Sequence, residues 1–356
     1  MLTSRQRIWR RFWHAVVPLD DLQSGPRPFR LLGEDIVLFL DQHGRPAALK
    51  DRCRHRTARL SKGWCKDGQI VCGYHGWQYD REGRLTRIPQ LDPHLPVPDE
   101  RVKTYPCQAR YGYAWVALDD PVRPLFEVPE DFDPAFRRIP QFYESWKTSP
   151  LRLMENSFDN AHFSFVHRGT FGDLQQPKPG RYSIDETEGG FYAEAVTHAL
   201  NPPSAQPVTG CTEPEIDRVL RSTWYLPFGR RFDMEFPSGI RHIIISYATP
   251  IDDDSIQVVQ LLYRNDKEAD CPARLLVEWD AKIIAEDKDV LESTDPDIVL
   301  DVRSSEEAHM PSDRPSLIMR KRLLALLQQY GEAETIARAP EGAADAGRRP
   351  ANAAAS

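Results

Sequence analysis

Apolar and polar residues alternate at short range in the first third of the chain and in longer runs afterwards, and these periods predict the elements. Asp35–Leu40 is a short apolar run, Asp41-Gln42-His43-Gly44-Arg45-Pro46 is a turn, and Ala47–Leu49 resumes the apolar pattern. Two such runs around a Gly/Pro turn are a hairpin signature. Trp77–Tyr79 and Leu85–Ile88 around Asp80–Gly83 predict a second hairpin, and Tyr111–Leu118 alternates like a closing strand. Residues 13–118 therefore read as an all-β domain. Residues 119–140, with Pro121, Pro124, Pro129, Pro134 and Pro140, read as a linker or strap. A helix is expected over Pro150–Arg168, and strand-like runs at Phe191–Val196, Arg218–Leu226, Arg241–Ala248 and Ile256–Tyr263. Helices then follow at Cys271–Ser293 and Pro315–Tyr330. This order predicts an α+β domain over 141–335, an antiparallel sheet with helices on one face. The Ala-, Gly- and Pro-rich residues 336–356 read as a disordered tail.

Composition narrows the function classes. The 356 residues suffice for two domains, and 40% hydrophobic with 28% charged residues is ordinary for a globular protein. Thirty prolines favour short strands over long helices. A net charge of −7, with no basic run beyond pairs such as Arg10–Arg11, argues against a nucleic-acid partner and against attraction to an anionic membrane. No apolar stretch approaches the roughly 20 residues that span a bilayer. Arg5, Arg7, Arg10 and Arg11 precede the apolar Phe12–Leu19, but that run is short, is interrupted by His14 and has no cleavage site after it. It reads as the start of the fold, and the cytoplasm is the expected compartment. Six cysteines are sparse for a disulfide scaffold; clustered with histidines, they point to metal.

The chemistry lies in two constellations. The first is Cys53-x-His55 and, after Arg56–Val71, Cys72-x-x-His75. Each half can present one thiolate and one imidazole from a tight loop, and Gly73 and Gly76 permit such loops. Two thiolates and two imidazoles suit zinc or a two-iron cluster. A zinc finger keeps its cysteines together and its histidines together; the alternating order here favours a cluster in which cysteines hold one iron and histidines the other. Cys65 falls between the pairs and reads as an apolar filler.

The second constellation begins at Ser149, a candidate N-cap before Pro150. On a regular helix Glu155, Asp159 and His162 share a face with Leu151, Phe158 and Val166, which is costly unless they are paired or bound to metal. His167 lies about 140° round from His162, so both reach one ion only if the helix ends or distorts, and Gly169 makes an end plausible. Two histidines and a carboxylate form the facial triad of non-haem Fe(II) oxygenases. The helix Cys271–Ser293 offers the carboxylate. Its apolar stripe contains Leu276, Trp279, Ile283, Ile284, Val290 and Leu291; Asp287 and Asp280 both project into it, while Lys282, Glu286 and Asp289 lie outside. Trp224, Phe228, Phe232, Phe236 and Tyr247 are apolar pocket candidates that read more readily as core.

The segments Asp51-Arg-Cys-Arg-His-Arg56 and Val71-Cys-Gly-Tyr-His-Gly-Trp77 resemble the Rieske fingerprint of the ring-hydroxylating oxygenase family. Asn156-x-x-Asp159-x-x-His162-x₄-His167 is similar to that family's iron motif. Glu286-Asp-Lys-Asp-Val-Leu-Glu292 resembles the ligand segment of its vanillate- and dicamba-demethylase-like branch, which selects Asp287 over Asp280. The resemblance implies a Rieske [2Fe–2S] cluster on Cys53, His55, Cys72 and His75, and a mononuclear Fe(II) on His162, His167 and Asp287. It implies that Asn156 stands close to the iron and that Asp159 receives electrons from His75 of a neighbouring subunit in a homotrimer. The implied activity is O₂-dependent monooxygenation, hydroxylation or O-/N-demethylation, of an aromatic or heterocyclic small molecule. Ring cis-dihydroxylation, and a Rieske electron carrier without oxygenase activity, are the alternatives. No Gly-x-Gly-x-x-Gly fingerprint occurs, so electrons are expected from a separate NAD(P)H-dependent reductase, with or without a ferredoxin.

Overall fold

The computed structural model describes residues 1–336; the tail expected over 336–356 lies, from residue 337 onward, outside the described residues. The N-terminal part is all β. One sheet joins Arg27–Leu31, Glu34–Leu40, Pro46–Lys50 and Thr104–Tyr105. A second joins His14–Pro18, Tyr113–Val116 and Cys107–Arg110, and a third joins Trp64–Lys66, Gln69–Val71, Gln78–Tyr79 and Leu85–Arg87. Both hairpins form where the pattern places them. The first turn is closed by Asp41, whose Oδ1 accepts from the backbone N–H of His43 (2.8 Å) and Arg45 (3.0 Å), an aspartate acting as a turn former.

The second part is one seven-stranded antiparallel sheet. Its order is Arg137–Trp146, Ile256–Arg264, Arg241–Pro250, Gly229–Glu235, Glu215–Tyr225, Gly190–Leu200, Ser183–Thr187. Along Glu215–Tyr225 burial alternates, with Ile216, Arg218, Leu220, Ser222 and Trp224 turned to one face. Ile256–Arg264 is buried at every position, so both of its faces are covered. The His14–Pro18 strand docks on the sheet through hydrogen bonds to its backbone: Tyr247 to Trp13 O (2.7 Å), Thr249 to Ala15 O (2.5 Å) and Tyr143 to Val16 O (2.7 Å). The helix Pro150–Ser157 carries Asn156, the short helix Phe163–Val166 is flanked by His162 and His167, Ala273–Leu291 carries Asp287, and Arg314–Gln329 packs against the first of these helices. The α+β class is as expected.

Three local expectations give way. The linker does not run to residue 140, because Arg137–Trp146 is already an edge strand. Pro140 is tolerated there because an edge strand does not need every N–H, and the register shifts between Pro140 and Phe142. Gly229–Glu235 was not anticipated as a strand. The helix expected over Pro150–Arg168 ends at Ser157 and resumes only for Phe163–Val166. In the gap, Asp159 Oδ1 accepts from Ala161 N–H (2.7 Å) and Asn160 Nδ2 donates to Gly180 O (2.8 Å). Short polar side chains bonding the backbone compete with the helix ladder.

The break separates Glu155 from the histidines. Glu155 is buried against Arg320, Nε to Oε1 2.6 Å and Nη2 to Oε2 3.0 Å, a bidentate pair that ties the Pro150–Ser157 helix to Arg314–Gln329. Burial pushes the Glu155 carboxyl up, and Arg320 opposes that push. Arg320→Met is expected to cost about 3 kcal/mol, because it leaves the buried Glu155 carboxylate without its bidentate partner and with Arg152 alone, 3.5 Å away. Urea unfolding measures this, and an unchanged midpoint would show that the pair holds nothing together.

Candidate metal centres and the cavity between sheet and helices

The first site consists of two loops with one hydrogen-bond pattern. Cys53 N–H donates to Ala58 O (2.8 Å) and Cys53 O accepts from Thr57 N–H (3.1 Å). Cys72 N–H donates to Trp77 O (2.8 Å) and Cys72 O accepts from Gly76 N–H (2.9 Å). The fourth residue after each cysteine has positive φ: Thr57 at 60° and Gly76 at 70°. Gly73 serves differently, since a Cβ there would lie 2.7 Å from Lys62 O. Both cysteines are buried and close enough for the charge of Cys53 to bear on Cys72; burial pushes the Cys72 thiol up, and backbone N–H groups of Tyr74 and His75 pull it down. The rings of His55 and His75 lie 4.5 Å apart, His55 stacked on Trp77 at 4.6 Å and 3°. Sulfurs lie inside and imidazoles at the surface, an arrangement that fits a two-iron cluster. Cys53 Sγ also lies 3.2 Å from Tyr79 OH, and burial followed by Cys53 pushes that phenol up, so it would donate to the sulfur once Cys53 is a cluster-bound thiolate. Cys65 is half-buried beside this cluster of apolar residues.

The second site forms where the broken helix faces Ala273–Leu291. His162 Nε2 and His167 Nε2 are 3.1 Å apart, and Asp287 Oδ1 lies 3.5 Å from the first and 3.4 Å from the second. Among the described residues, this is the set of His, Cys, Asp and Glu atoms close enough together to share one ion. Asn156 Nδ2 donates to the same Asp287 oxygen at 3.2 Å. Each histidine has a carboxylate on its other nitrogen. His162 Nδ1 faces Asp159 Oδ2 at 3.2 Å, and His167 Nδ1 faces Glu286 Oε2 at 3.0 Å, with Thr170 Oγ1 donating to that oxygen. Such partners fix the tautomer and turn Nε2 towards a metal. Burial, then His162, then Arg218 lower His167 to about 3, so its ring is neutral, as a ligand must be. Burial pushes the Asp287 carboxyl up, opposed by His162, Asn156 and Arg230. A buried carboxylate beside two inward-facing lone pairs fits a divalent cation. Glu286 is the residue that sequence reasoning passed over, set aside because it lies off the apolar stripe; its one legible signal is its place directly before Asp287.

The triad opens into a cavity between sheet and helices. Its apolar wall includes Phe163, Phe171, Phe232, Phe236, Trp279 and Ile283. Of the five aromatic pocket candidates, Phe232 and Phe236 line it, while Trp224, Phe228 and Tyr247 belong to the main core. Asp280 stands apart from the two triad histidines. Its Oδ2 accepts from His242 Nε2 (3.0 Å) and from Gln141, while Arg264 donates to His242 Nδ1 (3.1 Å). Arg218 and Arg230 also reach the cavity, and burial lowers both to about 10, leaving them cationic at neutral pH.

Comparison with known proteins places each half of the chain in a family. A family model described as the Rieske [2Fe–2S] domain matches residues 12–106, and one described as the vanillate O-demethylase oxygenase C-terminal domain matches residues 146–329. The chain is 27% identical to the methylxanthine N1-demethylase NdmA of Pseudomonas putida, over 93% of each chain. It is 32% identical to a 5,5'-dehydrodivanillate O-demethylase oxygenase subunit of a Sphingobium species, over 52% of this chain and 47% of that one. The structure of NdmA with caffeine superposes with a TM-score of 0.78 at 27% identity, covering 92% of this chain and 94% of that one. Dicamba monooxygenase, at 21% identity and a TM-score of 0.76, covering 91% and 99%, shares the fold. The chain belongs to the Rieske oxygenases whose catalytic half is the vanillate O-demethylase oxygenase C-terminal domain. It is the terminal oxygenase component, an oxidoreductase with a Rieske [2Fe–2S] cluster and a mononuclear iron.

The Tyr79 hydroxyl predicts a measurable property. Hydrogen bonds to cluster sulfurs stabilise the reduced, more negative state, so Tyr79→Phe should lower the Rieske midpoint by about 50 mV, near one decade for a one-electron couple. Protein-film voltammetry reads this directly, and an unchanged midpoint would mean that the hydroxyl does not bond the sulfur.

Proposed function

We propose that this oxygenase hydroxylates or demethylates, at oxygen or nitrogen, an aromatic or heterocyclic small molecule. Cys53, His55, Cys72 and His75 hold the cluster, and His162, His167 and Asp287 hold the iron. The observation that carries this reading is the convergence of three donor atoms, within about 3.5 Å of one another, at the end of an enclosed and largely apolar cavity. When bound, iron on two imidazoles and one carboxylate supplies open positions for O₂ chemistry.

The chain's own residues prepare that position. Glu286 and Asp159 hold the Nδ1 protons of His167 and His162, so both rings stay fixed with Nε2 inward. Asn156 orients the Asp287 carboxylate through Oδ1. The phenyl rings around the cavity exclude water and leave room for a flat substrate. NdmA is an N-demethylase and the Sphingobium relative an O-demethylase by name. In both types of reaction, hydroxylation of the methyl carbon lets it leave as formaldehyde, which favours monooxygenation here over ring dihydroxylation.

The electron route requires partners. A separate NAD(P)H-dependent reductase, directly or through a ferredoxin, would reduce the cluster. Asp159 is partly exposed, and His75 sits beside Tyr74, which is 62% exposed. Among the described residues no hydrogen bond joins His75 to Asp159 within the chain; the His75 backbone carbonyl accepts instead from Gln90. A homotrimer that brings one subunit's His75 to its neighbour's Asp159 would complete the route. All six cysteines are free, which suits the reducing cytoplasm where the reductant is made.

Anaerobically purified protein is expected to contain about three irons and two acid-labile sulfides per chain. His162→Ala should fall to about two irons with the cluster spectrum intact, and with no formaldehyde or hydroxylated product. Full turnover by that variant would overturn the reading. In Asp159→Ala, reduction of the cluster by the donor should persist while coupled product formation falls by about tenfold or more, roughly the loss of one charge-assisted bond. Unchanged coupling would remove Asp159 from the route.

A further inference from the structure

Among the described residues, two guanidiniums in the cavity wall have no carboxylate within ion-pair distance. Arg218 lies in the strand Glu215–Tyr225 and Arg230 in its neighbour Gly229–Glu235, and both line the cavity. Arg218 is 6% exposed; its guanidinium sits 4.2 Å from the Phe171 ring centroid and 5.7 Å from that of Phe163. Its one hydrogen-bond acceptor among the described residues is the Met234 sulfur, 3.9 Å away. Arg230 lies 3.8 Å from the ring centroid of Phe232 and 5.2 Å from that of Phe158. The Nε of each is buried without a partner. Arginines buried elsewhere are matched to carboxylates: Arg320 to Glu155, Arg231 to Glu130 and Arg264 to Asp266.

An unpaired buried charge is costly, and aromatic faces offset only part of the cost. Asp287 is a carboxylate whose charge bears on Arg230, but a divalent ion on Asp287 would over-compensate that charge and deepen the cationic excess. Asp280, the carboxylate at the other end of the cavity, is engaged by His242 and Gln141. The missing negative charge must come from the cavity's occupant. Ser246 stands directly across from Arg230 in register, and Gln260 across from Ser246, which extends a polar row along the same wall.

We infer that the substrate carries an oxyanion, a carboxylate or sulfonate on its ring, seated by Arg218 and Arg230. Calling the occupant a substrate rests on the proposed oxygenase function; the anion site itself does not need the iron. Guanidinium forks match planar oxyanions through paired N–H bonds, and stacking on phenyl rings holds the forks in plane.

The test is calorimetric titration of the holoenzyme, and of protein freed of mononuclear iron by a chelator, with benzenesulfonate and with its neutral analogue benzenesulfonamide. Sulfonate is a weak metal ligand, so a preference for it reports the arginines. Both preparations are expected to bind benzenesulfonate about tenfold or more tightly than the sulfonamide. Arg218→Gln and Arg230→Gln should each lose about tenfold or more of the sulfonate affinity while changing that for the sulfonamide by less than about twofold. The ligand-free variants should melt no lower than the native protein, since each loses an unpaired charge, buried at Arg218 and half-buried at Arg230. Equal affinities, or no sulfonate binding at millimolar concentration, overturn the inference. So does a variant that melts well below native, which would make the guanidinium a packing element between rings. A normal iron count without sulfonate preference sinks this inference alone; sulfonate preference in protein that never holds the third iron sinks the oxygenase reading alone.

Discussion

The structure turns on three atoms that cannot satisfy one another. With Asp159 and Glu286 accepting the Nδ1 protons, the Nε2 atoms of His162 and His167 both present lone pairs, 3.1 Å apart. Asp287 Oδ1, also an acceptor, completes the triangle. With both rings neutral and Asp287 ionised, none of the three atoms has a proton to give another, and burial limits water as a remedy. A cation resolves the conflict. The broken helix, the register of Ala273–Leu291 and the Asp-Asn turn between Ser157 and Phe163 all maintain that geometry. A regular helix through residue 167 would have turned the second histidine away.

The two imidazole–carboxylate pairs differ in where they lead. Glu286 is backed by Thr170 and lies on the same helix as Asp287, so it stiffens the site from within. Asp159 lies in the turn, partly exposed, with its second oxygen bonded to Ala161 N–H. One partner holds the ligand in place, and the other connects it to the surface, where a neighbouring chain could approach. A helix that stops before its ligands is therefore what gives the iron site an outward contact.

What the sequence made legible was local chemistry. Cys-x-His and Cys-x-x-His define their loops because the spacing leaves little freedom, and the structure answers with two matching turns. The hairpin at Asp41 follows from side-chain bonds within five residues. What stayed illegible depends on distant partners. Glu155 shared a helical face with Asp159 by periodicity, yet Arg320, far along the chain, claims it. Pro140 reads as linker until its strand is seen to be an edge. Gly229–Glu235 hides because Arg230 interrupts an apolar alternation, although the arginine faces inward with Phe232 and Met234. Glu286 was passed over because apolar periodicity marks what faces the core and says nothing of a carboxylate that bonds a ligand from the side.

Arg230 obscured its strand and Arg218 sits unpaired for the same reason. An inward arginine breaks the hydrophobic pattern that specifies a strand, and a fold keeps such a residue only if something compensates it. Across the sheet His242 closes on Asp280 and Arg264 on Asp266. The cavity is thus neutralised at one end and cationic at the other, and the cationic end contains the iron site. A substrate with an oxyanion would be drawn to that end and aligned along the row formed by Arg230, Ser246 and Gln260, with its ring between phenyl side chains. Its orientation would be set by charge before the apolar wall contributes affinity. In that view, which carbon faces the metal depends on how far the reactive methyl or C–H lies from the anionic group, so the arginines would select among positional isomers of one ring more sharply than among rings of different size.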